Sequence, residues 1–274
     1  MSTTEASQGA DVDAEYIADH VDDPLTRIVE VDVSSAAYEA GHIPGAVLWN
    51  AYTDLRHDDF RNISDREMEG LLRQSGISPE TTVVTYGYGA HLGYWLLRSF
   101  GHERTKLMDG PRDQWLKAGH EWSTDVSVPA NAPYELAAQN RFFASRDDVL
   151  ALADAARGVV VDVRSEAEYV GANFWPSGAP ESVGRPGRIP GAIHFPVSTV
   201  RTSDGRFVGT EALRDAVGAL GLDPSSEIVV YCTIGNRASQ VWYALTVLLG
   251  FQNVRVFAES WVVWGMDPRL PIER

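Results

Sequence analysis

The chain has 274 residues, 44% of them hydrophobic and 22% charged, which describes a soluble globular protein long enough for two ordinary cores. A net charge of −15 argues against nucleic acid or an anionic membrane as partner, since both attract basic surface. The one cysteine, Cys232, excludes an internal disulfide and a resolving thiol within the chain.

Met1 to Asp23 is polar and acidic, without the apolar core of a signal peptide. No apolar run approaches the ~20 residues of a membrane span, so the expected location is cytoplasmic. Asp11 to Val21 reads as a helix, Arg27 to Val33 as a strand and Ala46 to Asn50 as a short strand after an Ile-Pro-Gly turn. Ser64 to Ser75 carries a Ser64/Glu67 capping box and stops at Gly76, so a helix is predicted there. Strands follow at Thr81 to Tyr86 and Thr105 to Asp109, with a helix from His91 to Phe100 between them. The stretch Val126 to Asn140, with Pro129 and Pro133 and few long apolar side chains, reads as a linker. Beyond it come helix Asp147 to Ala156, strand Val159 to Arg164, strand Ala192 to Phe195 and helix Glu211 to Leu220. Strand Glu227 to Cys232, helix Arg237 to Leu249 ending at Gly250, and strand Val254 to Phe257 complete the chain. Strands alternating with helices through short loops predict an α/β fold of mainly parallel sheets with helices on both faces.

The two halves repeat each other. Val31-Asp32-Val33 matches Val161-Asp162-Val163 at an offset of 130, and Gly41-His42-Ile43-Pro44-Gly45-Ala46 matches Gly187-Arg188-Ile189-Pro190-Gly191-Ala192 at 146. Gly76-Ile77-Ser78-Pro79 matches Gly221-Leu222-Asp223-Pro224, and Val83-Val84 matches Val229-Val230. Gly101 and Trp115 match Gly250 and Trp264 at an offset of 149. The expected domains are therefore 1–125 and 141–274, with 126–140 between them. The rising offset places one insertion between Val163 and Gly187, covering Ala172 to Gly178, and a second directly after Cys232. In this matching Tyr86 stands opposite Cys232, so only the second half holds a nucleophile.

Ile228-Val229-Val230-Tyr231-Cys232-Thr233-Ile234-Gly235-Asn236-Arg237 puts that cysteine between the end of a buried strand and the start of a helix. Backbone N–H groups converge at such a turn and the positive end of the helix dipole faces it, which favours a thiolate over a thiol. Arg237, five positions on, either closes the loop or helps an anion in. Arg185 and Arg188 precede the second Ile-Pro-Gly turn, and their forked guanidinium groups suit sulfonate or carboxylate oxygens. Arg201 and Arg206 flank a further loop as secondary candidates. The His and Cys residues have no metal-site spacing, there is no glycine-rich phosphate fingerprint, and no cofactor is expected.

Cys-Thr-Ile-Gly-Asn-Arg resembles the active-site loop of the rhodanese sulfurtransferases. Four residues separate Cys232 from Arg237, whereas the related phosphatase loop has five and makes a wider cradle. From about Asp11 to Glu273 the chain resembles tandem-domain rhodaneses, most of all bacterial thiosulfate sulfurtransferases, with an inactive first half and the cysteine in the second. The resemblance implies that the Cys232 thiolate takes the outer sulfur of a small anionic donor such as thiosulfate. It then passes that sulfur from a persulfide to cyanide, a thiol or a protein. N–H groups of Thr233, Ile234, Gly235, Asn236 and Arg237 would hold the terminal sulfur. Asp162, Arg164 and Glu168 resemble family residues that brace the fold.

Two positions depart from the family pattern. Thr233 is neither the Arg associated with thiosulfate enzymes nor the Gly associated with mercaptopyruvate enzymes. Ala258-Glu259-Ser260-Trp261 stands where relatives have Asp-Gly-Ser-Trp or Tyr-Gly-Ser-Trp, which makes Glu259 a candidate modulator of donor charge. Three functions stay open: thiosulfate sulfurtransferase, 3-mercaptopyruvate sulfurtransferase, and a persulfide relay carrier fed by a partner protein.

Overall fold

The computed structural model describes residues 9–136, 140–155, 158–176 and 184–274. Among them, one compact unit is made of the residues up to Asp58, Asn62–Arg141 and Asp204–Arg206. The other is made of Asp59–Arg61, Phe142–Ser203 and Phe207–Arg274.

In the first unit, strands β1 (Thr26–Asp32), β2 (Val47–Asn50), β3 (Thr82–Tyr86) and β4 (Thr105–Leu107) form a parallel sheet in the order β2-β1-β3-β4. The second unit repeats that order as β6-β5-β7-β8, from β5 (Val159–Asp162), β6 (Ile193–His194), β7 (Ile228–Tyr231) and β8 (Val254–Val256). Parallel neighbours need crossover connections, and the predicted helices supply them at Asp65–Gln74, Ala90–Ser99, Thr210–Gly218 and Asn236–Tyr243. The Ser64/Glu67 capping box is formed with both reciprocal bonds. The predicted end of helix Asp147 to Ala156 and the Ser177-Gly178 end of the insertion lie outside the described residues.

Strand register corrects the sequence matching of the halves. Val29 pairs with Val47 and Thr85 in one sheet, as Val161 pairs with Ile193 and Val230 in the other. Val29 and Val161 are therefore equivalent, at an offset of 132 where the valine-aspartate match suggested 130. The true counterparts are Glu30 and Asp162, opposite Tyr86 and Tyr231. Each tyrosine hydroxyl donates to its acid and accepts the N–H of Ile43 or Ile189. Tyr86 thus stands opposite Tyr231, and Gly87 is the residue opposite Cys232. The second insertion also moves. Only one extra residue lies in the loop after β7, and the others lengthen the helix behind it, whose last turn, Ala244–Leu248, opens into a π-helix.

Short helices at Ala36–Ala40, Gln114–Lys117, Glu166–Tyr169 and Ser260–Met266 were not expected from the sequence. Each spans two turns or fewer, too little for a 3.6-residue pattern to emerge. The proline-bearing stretch read as a linker packs on the first unit as far as it is described. Ala132 N–H reaches the Arg73 carbonyl, and the Tyr134 hydroxyl lies 2.8 Å from His102 Nδ1.

Candidate active site

All four residues of β7 are buried, and Ile228, Val229 and Val230 are β-branched. Such side chains suit a strand covered on both faces, where each removes roughly 1.5–3 kcal/mol worth of apolar surface from water. The strand is thereby fixed up to its carboxyl end, where parallel sheets of this kind bind ligands. Cys232 is the next residue and is 1% exposed.

The loop turns through Gly235, whose φ of +94° favours glycine. A Cβ there would come within 2.9 Å of the Ala258 carbonyl oxygen, so the position has no space for a side chain either. This turn aims the Gly235 N–H at Cys232 Sγ, 3.0 Å away. Helix Asn236–Tyr243 begins at once, with its first turn beside the sulfur. Asn236 is buried, and its Oδ1 has no hydrogen-bond partner.

Thr233 and Arg237 face a buried carboxylate. Thr233 Oγ1 donates to Glu168 Oε1 at 2.6 Å, and Arg237 donates to both Glu168 oxygens and to Thr233 Oγ1. The Ser165 N–H and hydroxyl complete the shell around Glu168. Burial pushes the Glu168 carboxyl up, but hydrogen bonds and charge from Arg237, with the Thr233 and Ser165 hydroxyls, overcome it and hold the group at about 2. Arg237 is pulled by burial in one direction and more strongly by Glu168 and the nearby Cys232 in the other, so its pKa is raised. Its hydrogen bonds serve Glu168 and Thr233.

A second buried pair lies beneath the loop. Arg164 and Asp162 are both inaccessible and bonded at 2.6–3.1 Å, with the Tyr231 hydroxyl on Asp162 and the Gly187 carbonyl on Arg164. Asp162, Arg164 and Glu168, which the resemblance gave as braces of the fold, are all buried and ion-paired. The Ser165-x-x-Glu168 spacing is a capping-box signal that also marks the short helix Glu166–Tyr169.

The structure does not bring the guanidinium groups of Arg185 and Arg188 together with the loop through any hydrogen bond. Arg185 donates to the carbonyls of Gly265, Trp264, Asp267 and Leu270 at the end of helix Ser260–Met266. Arg188 pairs with Glu273, reaches the Tyr169 carbonyl and stacks over the Tyr169 ring. Arg201 bonds Gln240 and lies over Phe207, and Arg206 bonds Gln114. Glu259 is half-buried, and burial pushes its carboxyl up. Arg146 and Arg61 pull it down, and Asp59 adds a smaller push upward.

Sequence reasoning missed Ser260, which binds the Cys232 N–H through Oγ at 3.1 Å. Among the described residues no group of three or more His, Cys, Asp or Glu side chains could hold a metal ion, and no helix is long and apolar enough to cross a membrane.

The family profile described as the rhodanese-like domain matches residues 13–118 and 145–267. A Haloferax volcanii protein named "Putative thiosulfate sulfurtransferase" is 35% identical, over 100% of this chain and 99% of its own. A Thermus thermophilus protein named sulfur carrier protein TtuD is 35% identical over 96% of each chain. Among solved structures, a tyrosine variant of EanB in complex with ergothioneine superposes with a TM-score of 0.87 at 25% identity, covering 96% of this chain and 69% of that one. Another EanB structure, with ergothioneine covalently linked to a persulfide cysteine, superposes at 0.86 and 26% identity, over 96% and 69% of the two chains. Two matched domains on two equivalent parallel sheets place this chain in the rhodanese family, as a tandem-domain sulfurtransferase.

Proposed function

We propose that Cys232 carries sulfane sulfur from thiosulfate to a thiophilic acceptor. The observation that carries this reading is the seat of Sγ, which lies 3.0 Å from the Gly235 N–H at the end of β7. The thiolate is the nucleophile in such transfer, and an N–H aimed at sulfur is placed to hold its negative charge. The thiolate attacks the outer sulfur of thiosulfate, the S–S bond breaks, and sulfite leaves with the electron pair. The product persulfide keeps one negative charge on its terminal sulfur. The loop N–H groups of Thr233, Ile234, Gly235, Asn236 and Arg237 hold that charge. Cyanide, a thiol or a protein thiolate then takes the terminal sulfur and regenerates the Cys232 thiolate. Cys232 is 1% exposed, which suits a small anion better than the surface of a folded donor.

In this reading Arg185 and Arg188 brace the backbone, since their donors already serve carbonyls and Glu273. Likeness to the sulfur carrier TtuD supports a second reading, a relay loaded by a protein persulfide. Intact-mass measurement after separate incubation with thiosulfate, 3-mercaptopyruvate and a protein persulfide tests both. A gain of one sulfur atom from thiosulfate is the expected result. Loading only from mercaptopyruvate reassigns the donor, and loading only from the protein makes the chain a carrier.

A further inference from the structure

Ser260 is fully buried and has a φ of +55°, a left-handed conformation that non-glycine residues seldom adopt. Nothing in the transfer chemistry described above uses it. Its hydroxyl donates to the Phe257 carbonyl at 2.8 Å, which leaves its lone pairs to accept the Cys232 N–H at 3.1 Å. The next two residues continue the contact. Trp261 N–H donates to the Cys232 carbonyl, and Val262 N–H to the Thr233 carbonyl, both at 3.0 Å. Three consecutive residues therefore hold three polar groups of the Cys232–Thr233 backbone.

The physical logic lies in the helix terminus. The first N–H groups of a helix have no intrahelical acceptor, and here two of them find theirs in the nucleophile's own loop. A trans peptide directs its C=O and N–H to opposite sides. Drawing the Cys232 and Thr233 carbonyls onto helix Ser260–Met266 therefore turns the following N–H groups, those of Thr233 and Ile234, away from it. The left-handed turn at Ser260 lets the hydroxyl and the two amides reach the strand end together. From the other side of the loop, the Ala258 carbonyl occupies the space a side chain at Gly235 would need.

We propose that Ser260 is a positioning residue for sulfur transfer. With the Trp261 and Val262 N–H groups it fixes the Cys232–Thr233 backbone so that Sγ stays seated on the Gly235 N–H. The proposal rests on the reading of Cys232 as the sulfur carrier.

The full chain carrying Ser260→Gly separates positioning from stability, because glycine accepts the left-handed backbone while removing the hydroxyl. Ser260→Ala removes the hydroxyl and keeps the strain. The expected result for Ser260→Gly is a Tm within a few degrees of wild type, with single-turnover loading at saturating thiosulfate slowed about tenfold. Its KM should change less than twofold, and alkylation of Cys232 by iodoacetamide, which needs no sulfur donor, should slow as well. Unchanged loading and alkylation rates in Ser260→Gly would overturn the proposal. Should Ser260→Ala fail to fold, Ser260→Gly still decides. Failure of wild type to load from any donor would overturn the Cys232 reading instead, and alkylation would still test the clamp.

Discussion

The Arg237 guanidinium and the Glu168 carboxylate meet in two parallel hydrogen bonds, Nη1 to Oε2 at 2.7 Å and Nη2 to Oε1 at 2.8 Å. Glu168 is wholly buried, and Arg237 is the cation that makes its charge tolerable there. The pair ties the far end of the Cys232 loop to the helix after β5. Glu168 is held at about 2, against ~4.3 for an ordinary glutamate, a difference equivalent to about 3 kcal/mol of stability. A depressed carboxylate contributes that stability above the unfolded value and loses it as pH falls through the folded one. Wild type should therefore lose stability between about pH 4 and pH 2. In Arg237→Ala burial acts without its main opponent, and the Glu168 carboxyl moves above its ordinary value. The slope then reverses, and the variant should be less stable at pH 7 by about 3–5 kcal/mol and recover stability on mild acidification. Denaturant titration at pH 7, pH 5 and pH 3 reads both signs, and parallel pH dependences would remove the pair from this role.

Cys232→Ser should abolish sulfur loading by every donor while changing stability by no more than about 1 kcal/mol, since the serine oxygen can still accept the Gly235 N–H. Intact mass and circular dichroism on the same sample check it. A loaded Cys232→Ser protein would mean that sulfur is held elsewhere.

The register of the two sheets makes Tyr86 and Tyr231 equivalent, and equivalent substitutions should have similar costs. Tyr231→Phe leaves the Ile189 N–H without its acceptor and takes one donor from Asp162, which keeps Arg164, and Tyr86→Phe does the same to Ile43 and to Glu30, which keeps Arg112. Each should cost about 1–3 kcal/mol by calorimetry. A large loss in only one would separate the two frameworks.

What the sequence made legible follows from range. The valine-rich strands, the Ser64/Glu67 box and the cysteine between strand and helix are local patterns, and all are present. The equivalence of Glu30 with Asp162 was hidden because Val31-Asp32-Val33 imitates Val161-Asp162-Val163 two residues out of register, and that of Tyr86 with Tyr231 because Val83-Val84 imitates Val229-Val230 one residue out. The partner of Asp162 is Arg164, two residues on, whereas Glu30 takes Arg112 from far along the chain. No matching of local motifs aligns those two cations. The position of Ser260 was equally closed to sequence reasoning, because its partner lies 28 residues away and its backbone conformation is one that serine rarely takes.

Arg185→Ala and Arg188→Ala should lower stability and leave donor binding nearly untouched. Arg185 satisfies several carbonyls at the end of helix Ser260–Met266, and Arg188 joins Glu273 to the turn before β6. Leaving such acceptors unpaired should cost about 1–3 kcal/mol in each variant. The KM for thiosulfate should stay within twofold. A KM rise of tenfold without a fall in Tm would return both arginines to donor binding.

Glu259 directly precedes Ser260, so its charge lies beside the residue that holds the Cys232 N–H. Two unit charges ~8 Å apart at an effective dielectric near 20 repel by about 2 kcal/mol before screening by salt. Arg146 and Arg61 offset part of that field, and Asp59 adds to it. The remaining effect on a dianionic donor should therefore be modest. Glu259→Gln removes the charge with little change of shape, and kcat/KM for thiosulfate should rise about threefold at low ionic strength. The gain should fade as salt is added, and alkylation by neutral iodoacetamide should not change. Burial holds the Glu259 carboxyl above the usual range, so mild acidification should neutralise it in wild type and raise thiosulfate turnover relative to Glu259→Gln. Identical salt and pH dependences in the two proteins would place the Glu259 charge outside the donor's reach.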